Sequence, residues 1–283
     1  MRWETVVLGV LASFALLLAL ATKWKLPLRL ALTGIAMAVL GVVIPFLWID
    51  SQLDTAWSLA VALVAQIGGS VSAAMTLAMI CFWRDPDRTP PEQDGVILSA
   101  ADGEVVYITA VDEGSTPLVT KGGRDYPLRE LTGTSLPASA AYVIGVEMNL
   151  LNVHVNRCPI AGQVKLLKHI EGRFMSLRKD EAPFVNERLT TIIENVSLTV
   201  AVVQVASRLV RRIESYLSMG EIVSVGQRLG MIRFGSLVAV VLPKREDLVI
   251  DVKIGDRVTA GVSILARYAA DGGTGENEAA RMV

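Results

Sequence analysis

The sequence is poor in the residues on which most metal and redox sites depend. Its 283 residues include only two cysteines and two histidines. Cys81 and Cys158 are far apart and form no CxxC pair, so we expect neither a disulfide framework nor a metal site. A net charge of −1 gives no reason to expect a nucleic-acid partner. Any chemistry that needs an imidazole must use His154 or His169.

Apolar residues are abundant instead, and they are concentrated at the start of the chain. Hydrophobic residues make up 52% of the sequence and the mean hydropathy is +0.47. Three apolar runs, 5–22, 28–48 and 55–83, each have the length of about 17–25 residues that a helix needs to cross a bilayer, or exceed it. We therefore predict that residues 1–83 form a membrane anchor of about three transmembrane helices.

The charges around these runs predict an orientation. Basic residues lie between the first two runs and after the third: Lys23, Lys25, Arg29, Arg84 and Arg88. Positively charged flanks favour the cytoplasm. The remainder of the chain is therefore expected on the cytoplasmic face of the cell (inner) membrane. A cleaved signal peptide ending at Ala19-Leu20-Ala21 is a second interpretation, which the lysines directly downstream disfavour.

Three further segments follow the anchor. Residues 84–94 are polar and rich in proline, which indicates an extended linker. Residues 95–268 alternate short β-type runs with glycine turns, which predicts a mainly β domain with one or two helices. Residues 209–217 have helical spacing, and residues 112–139 indicate a long loop or a loop carrying a hairpin. The glycine-rich tail, 269–283, is predicted to be disordered.

Two similar units near the end of the chain suggest the kind of β fold. Residues 223–232 and 252–262 each show a strand, a glycine turn and a strand. Such units recur in lipoyl- and biotin-carrier domains, which are compact barrel sandwiches. A carrier needs a lysine at a hairpin tip, and neither unit has one. The swinging-arm carrier is therefore the weaker interpretation.

Three polar residues stand out in this β domain. Ser236 follows Gly235 between two apolar runs, and a Gly-Ser hairpin bend is its simplest local explanation. Asp102 precedes Gly103, where an Asp-Gly turn is the simplest one. His154 lies in an alternating segment and could equally be a strand residue that makes a single hydrogen bond.

These residues occur in segments that resemble a known family in the same order along the chain. The segment Ile-Arg-Phe-Gly-Ser at 232–236 resembles the cleavage site of short, membrane-anchored phosphatidylserine decarboxylases, which are pyruvoyl-dependent proenzymes. Five more segments are similar to blocks of that family: 82–88, 98–103, 148–162, 169–174 and 186–188. The resemblance covers about residues 82–266. Leu237 and Ala239 depart from it, because the family has charged residues there.

The resemblance implies self-cleavage between Gly235 and Ser236. The Ser236 hydroxyl attacks the Gly235 carbonyl, the peptide becomes an ester, and β-elimination followed by hydrolysis leaves a pyruvoyl group at position 236. Asp102 and His154 are the candidates to activate the hydroxyl, by the logic of a carboxylate that orients an imidazole. The products, 1–235 and 236–283, would form a heterodimer or a higher oligomer of it.

The resemblance also implies decarboxylation of phosphatidylserine to phosphatidylethanolamine and CO₂. The pyruvoyl group serves as the electron sink, no metal is needed, and His154 is the expected proton donor to the carbanion. Arg157 is a candidate for the lipid phosphate, or else is paired with a structural carboxylate. His169, Asn186 and Glu187 are further candidates for supporting or self-processing roles.

Two other functions stay open at this point. One is decarboxylation of another serine phospholipid, such as archaetidylserine. The other is a non-enzymatic, membrane-tethered β-barrel adaptor, in which Ser236 would be an ordinary bend residue and the chain would stay intact.

Overall fold

The computed structural model describes most of the chain after residue 55. The described residues are 7, 10–16, 18–19, 32, 36, 56–111, 118–121, 124–136, 140–177, 179–207, 213–233 and 236–269. Those before residue 56 are helical, and helix α1 spans Ala56–Trp83. Within these ranges, no helix has the length and apolarity needed to cross a membrane. The predicted transmembrane helices are thus not confirmed. Part of the first apolar run and nearly all of the second lie outside the described residues.

The chain divides into two compact units. The first comprises Met1–Arg84 and Asn149–Leu151, and the second comprises Asp85–Met148 and Asn152–Val283. The second unit contains every strand described below. Most of the predicted tail, 270–283, lies outside the described residues.

Sixteen strands and two short helices follow α1 in the described part of the chain. The strands are β1 Val96–Leu98, β2 Gly103–Val111, β3 Leu118–Lys121, β4 Arg124–Pro127, β5 Ala141–Met148, β6 Val155–Arg157, β7 Gly162–Ile170, β8 Arg188–Glu194, β9 Thr199–Ala206, β10 Ile213–Ser215, β11 Ile222–Val223, β12 Arg228–Ile232, β13 Ser236–Pro243, β14 Val249–Ile250, β15 Arg257–Val258 and β16 Ile264–Arg267. The helices are α2 Leu128–Thr132 and α3 Ala182–Val185. The prediction of a mainly β domain with few helices is confirmed.

An eight-stranded antiparallel sheet organises the domain. Its order is β11-β7-β8-β9-β13-β5-β2-β15, so β13 lies between β9 and β5. Two three-stranded sheets, β1-β16-β14 and β10-β12-β6, and the hairpin β3-β4 complete the described sheets.

Strand β13 is buried on both faces. Val238, Val240 and Leu242 belong to one apolar cluster, whereas Leu237, Ala239 and Val241 belong to a second one on the opposite face. A strand covered on both sides needs a continuous apolar run rather than an alternating one. This explains why the sequence after Ser236 reads Leu-Val-Ala-Val-Val-Leu without a polar residue.

Local sequence signals predicted some elements correctly and one wrongly. The loop 112–139 carries the hairpin β3-β4, and the two repeated units turn at Gly226 (φ 74°) and Gly255 (φ 95°), a conformation that favours glycine. The helix predicted at 209–217 is wrong over its described part, because Ile213–Ser215 forms β10 and pairs with Gly230, Met231 and Ile232. Pairing with a neighbouring strand outweighs the weak local helical periodicity.

Candidate active site

Ser236 begins β13 at one end of the large sheet. Its backbone pairs with Met148 of β5 and with Ala206 of β9. Gly235, the other half of the predicted cleavage site, lies outside the described residues, and for Ser236 only the backbone is described. The predicted scissile bond thus lies in the chain between the end of β12 and the start of β13, the strand at the centre of the large sheet.

Two contacts bring the segment around His154 to this end of β13. The backbone N–H of Ile232, the last residue of β12, donates to the His154 carbonyl over 3.3 Å. Asn156 lies against Met148, with 3.8 Å between Nδ2 and the sulfur, and Met148 is the strand partner of Ser236. The segment that carries His154 therefore packs against residues that neighbour Ser236 in the chain and in the sheet.

The His154 imidazole is held in the protonation state that a base requires. The residue is fully buried, and its Nδ1 lies 2.8 Å from the carbonyl oxygen of Asn152. A carbonyl only accepts, so Nδ1 carries the proton and the neutral ring keeps its lone pair on Nε2. Burial lowers the pKa of His154 to about 4, against smaller opposing effects of the Asn152 carbonyl and of Asp102. The imidazole is thus a neutral base at physiological pH.

Asp102 is buried and receives four hydrogen bonds. Arg88 binds it with both guanidinium nitrogens, over 2.5 and 2.9 Å. The backbone N–H groups of Ala260 and Val153 donate to its two oxygens over 2.8 and 3.4 Å. Asp102 therefore acts on His154 through its charge and through the amide of the preceding residue, Val153.

A second polar pair is buried beside the same strands. Gln204 of β9 donates through Nε2 to Oδ1 of Asn156 over 2.7 Å, and both side chains are fully buried. Among the described atoms, Gln204 Oε1 has no hydrogen-bond partner. A buried polar atom left without a partner is costly, so this amide marks polar space inside an otherwise apolar core, one strand from β13.

The segment 186–188, Asn-Glu-Arg, supports β9, one of the two strands that pair with Ser236. Asn186 is fully buried and donates through Nδ2 to the carbonyl of Ala206 over 2.9 Å. The Ala206 N–H donates to the Glu187 carbonyl, also over 2.9 Å. Arg188 donates to the carbonyls of Phe184 and Asn186. This segment fixes the end of β9 opposite Ser236.

His169 and Glu187 form a pair at the edge of this region. His169 Nε2 lies 2.8 Å from Glu187 Oε1, and the side chains are 48% and 9% exposed. Glu187 continues the row of the sheet in which Ser236 pairs with Ala206. It lies two strands from β13, so the backbones of Glu187 and Ser236 are about 10 Å apart. His169 lies one strand farther out, where Leu189 is its partner.

Arg157 serves the structural role that the sequence left open. It is buried, and it donates to the carbonyls of Gly226 and Pro86 and to the carboxylate of Asp85, over 3.0, 2.8 and 3.2 Å. Burial lowers the pKa of its guanidinium, against the opposing charge of Asp85. These partners tie the segment after α1 to the β domain, which favours the structural ion pair over the phosphate ligand for Arg157.

Sequence reasoning overlooked two residues of this site. The sequence indicates Arg88 as a basic flank and as the end of the family-like segment 82–88, but it does not predict the contact with Asp102. Gln204 lies in β9 and is absent from the residues that the sequence indicates for the site. It is the one polar residue in the run 200–206, and that isolation was a signal.

An apolar cavity of about 240 Å³ lies elsewhere, at the Pro243 end of β13, and contains none of the predicted site residues.

Comparison with known proteins tests the resemblance directly. The family model described as phosphatidylserine decarboxylase matches residues 75–266. The chain belongs to the phosphatidylserine decarboxylase family. The match confirms the predicted family and the prediction of a decarboxylase enzyme, and it includes every predicted site residue.

Individual relatives agree with this assignment. A protein of Methanocaldococcus jannaschii named "Putative archaetidylserine decarboxylase proenzyme" is 40% identical over 193 residues, which cover 68% of this chain and 91% of the relative. Phosphatidylserine decarboxylase proenzymes of Pelobacter propionicus and Symbiobacterium thermophilum are 38% and 34% identical. These alignments cover 69% and 70% of this chain and 79% and 83% of the relatives.

Proposed function

We propose that this decarboxylase is made as a proenzyme that cleaves itself between Gly235 and Ser236 and then converts phosphatidylserine to phosphatidylethanolamine and CO₂. The observation that carries the proposal is the position of Ser236. It begins the central strand of a sheet whose same end holds a buried, neutral His154. Family membership supports the reaction, and this geometry supports the residue that performs it.

For self-cleavage, the chain supplies a nucleophile and a base. His154 Nε2 takes the proton of the Ser236 hydroxyl as the hydroxyl attacks the Gly235 carbonyl. Asp102 stabilises the imidazolium that forms, because its charge opposes the cost of burying a cation. The pairing of β13 with β9 and β5 fixes the backbone of Ser236 during the attack.

The residues around Ser236 fit a pyruvoyl group at that position. The group carries two adjacent carbonyls and needs buried polar neighbours, and the amide pair of Asn156 and Gln204 supplies them one strand away. When formed, the group provides the electron sink for loss of CO₂. In turnover, His154 Nε2 takes a proton from the ammonium group of the substrate serine and returns it to the carbon that loses CO₂.

A second substrate is supported by one observation. The relative from Methanocaldococcus jannaschii, at 40% identity, carries a name that refers to archaetidylserine. The serine headgroup is the same in both lipids, and the backbone and tails differ.

Leu237 and Ala239, which stand where the family has charged residues, are both buried in the second apolar cluster, so they contact core residues rather than a headgroup.

One experiment tests cleavage and substrate together. The full chain, purified in detergent, is run on a denaturing gel beside its Ser236→Ala variant and is then supplied with phosphatidylserine or archaetidylserine. We expect two chains for the wild type, one for the variant, and CO₂ release by the wild type alone. An intact wild-type chain would favour the non-enzymatic adaptor, and CO₂ release from archaetidylserine only would favour the second substrate.

We further propose that residues 1–83 anchor the enzyme to the cell membrane, with the β domain on the cytoplasmic face. The three apolar runs and the basic residues that flank them support this arrangement. Anchoring raises the effective concentration of a lipid substrate. The test is alkaline extraction of membranes followed by protease treatment of inside-out vesicles. Release of the chain by alkali would refute the anchor, and protection of the β domain would refute the orientation.

A further inference from the structure

Arg88 occupies an unusual place for a residue of the segment that follows helix α1. Its side chain is only 8% exposed, although the neighbouring Asp87 is almost fully exposed. Both of its terminal nitrogens bind Asp102, and one of them also donates to the Ala260 carbonyl over 2.8 Å. A buried, two-point arginine–carboxylate contact fixes orientation as well as charge.

The contact leads directly to the candidate base. The Asp102 oxygen bound by Arg88 Nη2 also accepts the Val153 N–H, and the next residue is His154. The other oxygen is shared between Arg88 Nη1 and the Ala260 N–H. Arg88, Asp102 and the backbone of residue 153 thus form one connected chain of hydrogen bonds that ends at the imidazole segment.

We propose that Arg88 is a positioning residue for self-cleavage, which sets the Asp102 carboxylate and through it the segment that carries His154. This inference rests on the proposed function. Under it, the segment joining the anchor to the β domain is part of the processing site, and proenzyme maturation depends on the docking of that segment.

The other ion pairs of this segment supply a matched control. Arg228 binds Asp85 and Asp87 over 2.5 and 2.9 Å, so it also ties the segment to the domain. Its side chain is 43% exposed, and it does not contact Asp102. Exposed ion pairs contribute little to stability. Loss of Arg228 should therefore leave maturation unchanged.

The experiment follows maturation of the full chain, synthesised in a cell-free reaction with phospholipid vesicles, by the appearance of the small product on gels. Arg88→Lys keeps the charge but loses the two-point contact, and we expect at least tenfold slower cleavage. Asp102→Asn should slow cleavage to a similar extent. The double variant Arg88→Gln, Asp102→Asn should be no slower than Asp102→Asn alone, because residues in one network are not additive.

The outcomes separate this inference from the proposed function. The double variant removes both buried charges, so it avoids the uncompensated charge that Arg88→Gln alone would leave. Its thermal midpoint, measured beside that of Arg228→Gln, reports folding. Cleavage of Arg88→Lys within twofold of the wild type, or a double variant that cleaves more slowly than Asp102→Asn, would overturn the positioning role. A wild-type chain that never cleaves would instead overturn the proposed function.

Discussion

At the scale of single residues, the environment of His154 decides what its imidazole does. Full burial removes the stabilisation that water gives to an imidazolium, and the Asn152 carbonyl fixes the tautomer. Asp102 opposes the desolvation, but its charge is shared with Arg88. The balance leaves a neutral base over a wide pH range.

This balance predicts the pH dependence of self-cleavage. The pKa of His154 is lowered to about 4, so the neutral base is fully present at higher pH and is lost as the pH falls through that value. We expect the cleavage rate to be level from about pH 7 to about pH 5 and to fall to half near pH 4. The cleavage rate is measured by stopping the reaction of freshly synthesised proenzyme at intervals and separating the products on gels.

A control separates titration from unfolding. The thermal midpoint of the Ser236→Ala proenzyme, measured at each pH, shows where the fold itself fails. A cleavage rate that falls by half near pH 6.5, the ordinary value for histidine, with the fold intact, would mean that His154 is not the base or is not desolvated.

Some residue roles were predictable from sequence and others were not. Alternation in residues 152–156 predicted a strand in this segment, and the structure forms β6 directly after His154, at Val155–Arg157. The choice between a phosphate ligand and a structural ion pair for Arg157 depended on Asp85, which is far away in sequence. The fold brings such distant residues together, and no local sequence pattern predicts their pairing.

At the scale of elements, the approach of β2 to β5 holds Asp102 in place. Gly103 begins β2 directly after Asp102, and a Cβ on it would lie 2.2 Å from the Glu147 carbonyl oxygen. Because that oxygen belongs to the backbone of β5, it cannot move aside without disturbing the sheet. The glycine of the Asp-Gly pair is therefore required for strand packing rather than for a turn.

Substitution of this glycine should impair both the fold and maturation. We expect Gly103→Ala to destabilise the proenzyme by about 1–3 kcal/mol and to slow self-cleavage, because Asp102 moves with the strand. Thermal midpoints and cleavage rates check the two effects.

Gly220→Ala is the matched control for this substitution. Gly220 has φ 85° and no atom within 4 Å of an added Cβ, so we expect backbone strain of about 1–2 kcal/mol and normal cleavage. Normal cleavage by Gly103→Ala, or equal slowing of both variants, would contradict a specific link between β2 and the site.

The elements that the sequence predicted well are those with strong local signals. The apolar run after Ser236 and the glycine turns at Gly226 and Gly255 are examples. The strand Ile213–Ser215 was missed because its pairing with β12 is a tertiary effect. The order of strands in the large sheet, which places β13 between β9 and β5, has no local signal at all.

At the scale of the whole molecule, the predicted cleavage divides both apolar clusters of the β domain between two chains. The product 236–283 would contain β13 at the centre of the large sheet, and β15 and β16, which pair with β2 and β1. Removing this product would expose both apolar clusters to water, which costs a free energy of about 25 cal/mol per Å² of apolar surface. The two products should therefore behave as one folded body.

This arrangement predicts that cleavage does not release the small product. We expect both chains to elute together in size-exclusion chromatography without denaturant and to separate only when unfolded. A wild-type sample with an affinity tag on one product and detection of the other provides the measurement, and the Ser236→Ala chain provides the size standard. Loss of the small product under native conditions would contradict the central position of β13.

The most direct test of the central claim is the intact mass of the small product from the wild-type chain. Self-cleavage at Ser236 with formation of a pyruvoyl group predicts a chain of residues 236–283 that is lighter, by the mass of one ammonia, than the same chain with a free serine N-terminus. The product should also resist stepwise N-terminal degradation. A small product with an unmodified Ser236 amine, or cleavage at another bond, would contradict the account.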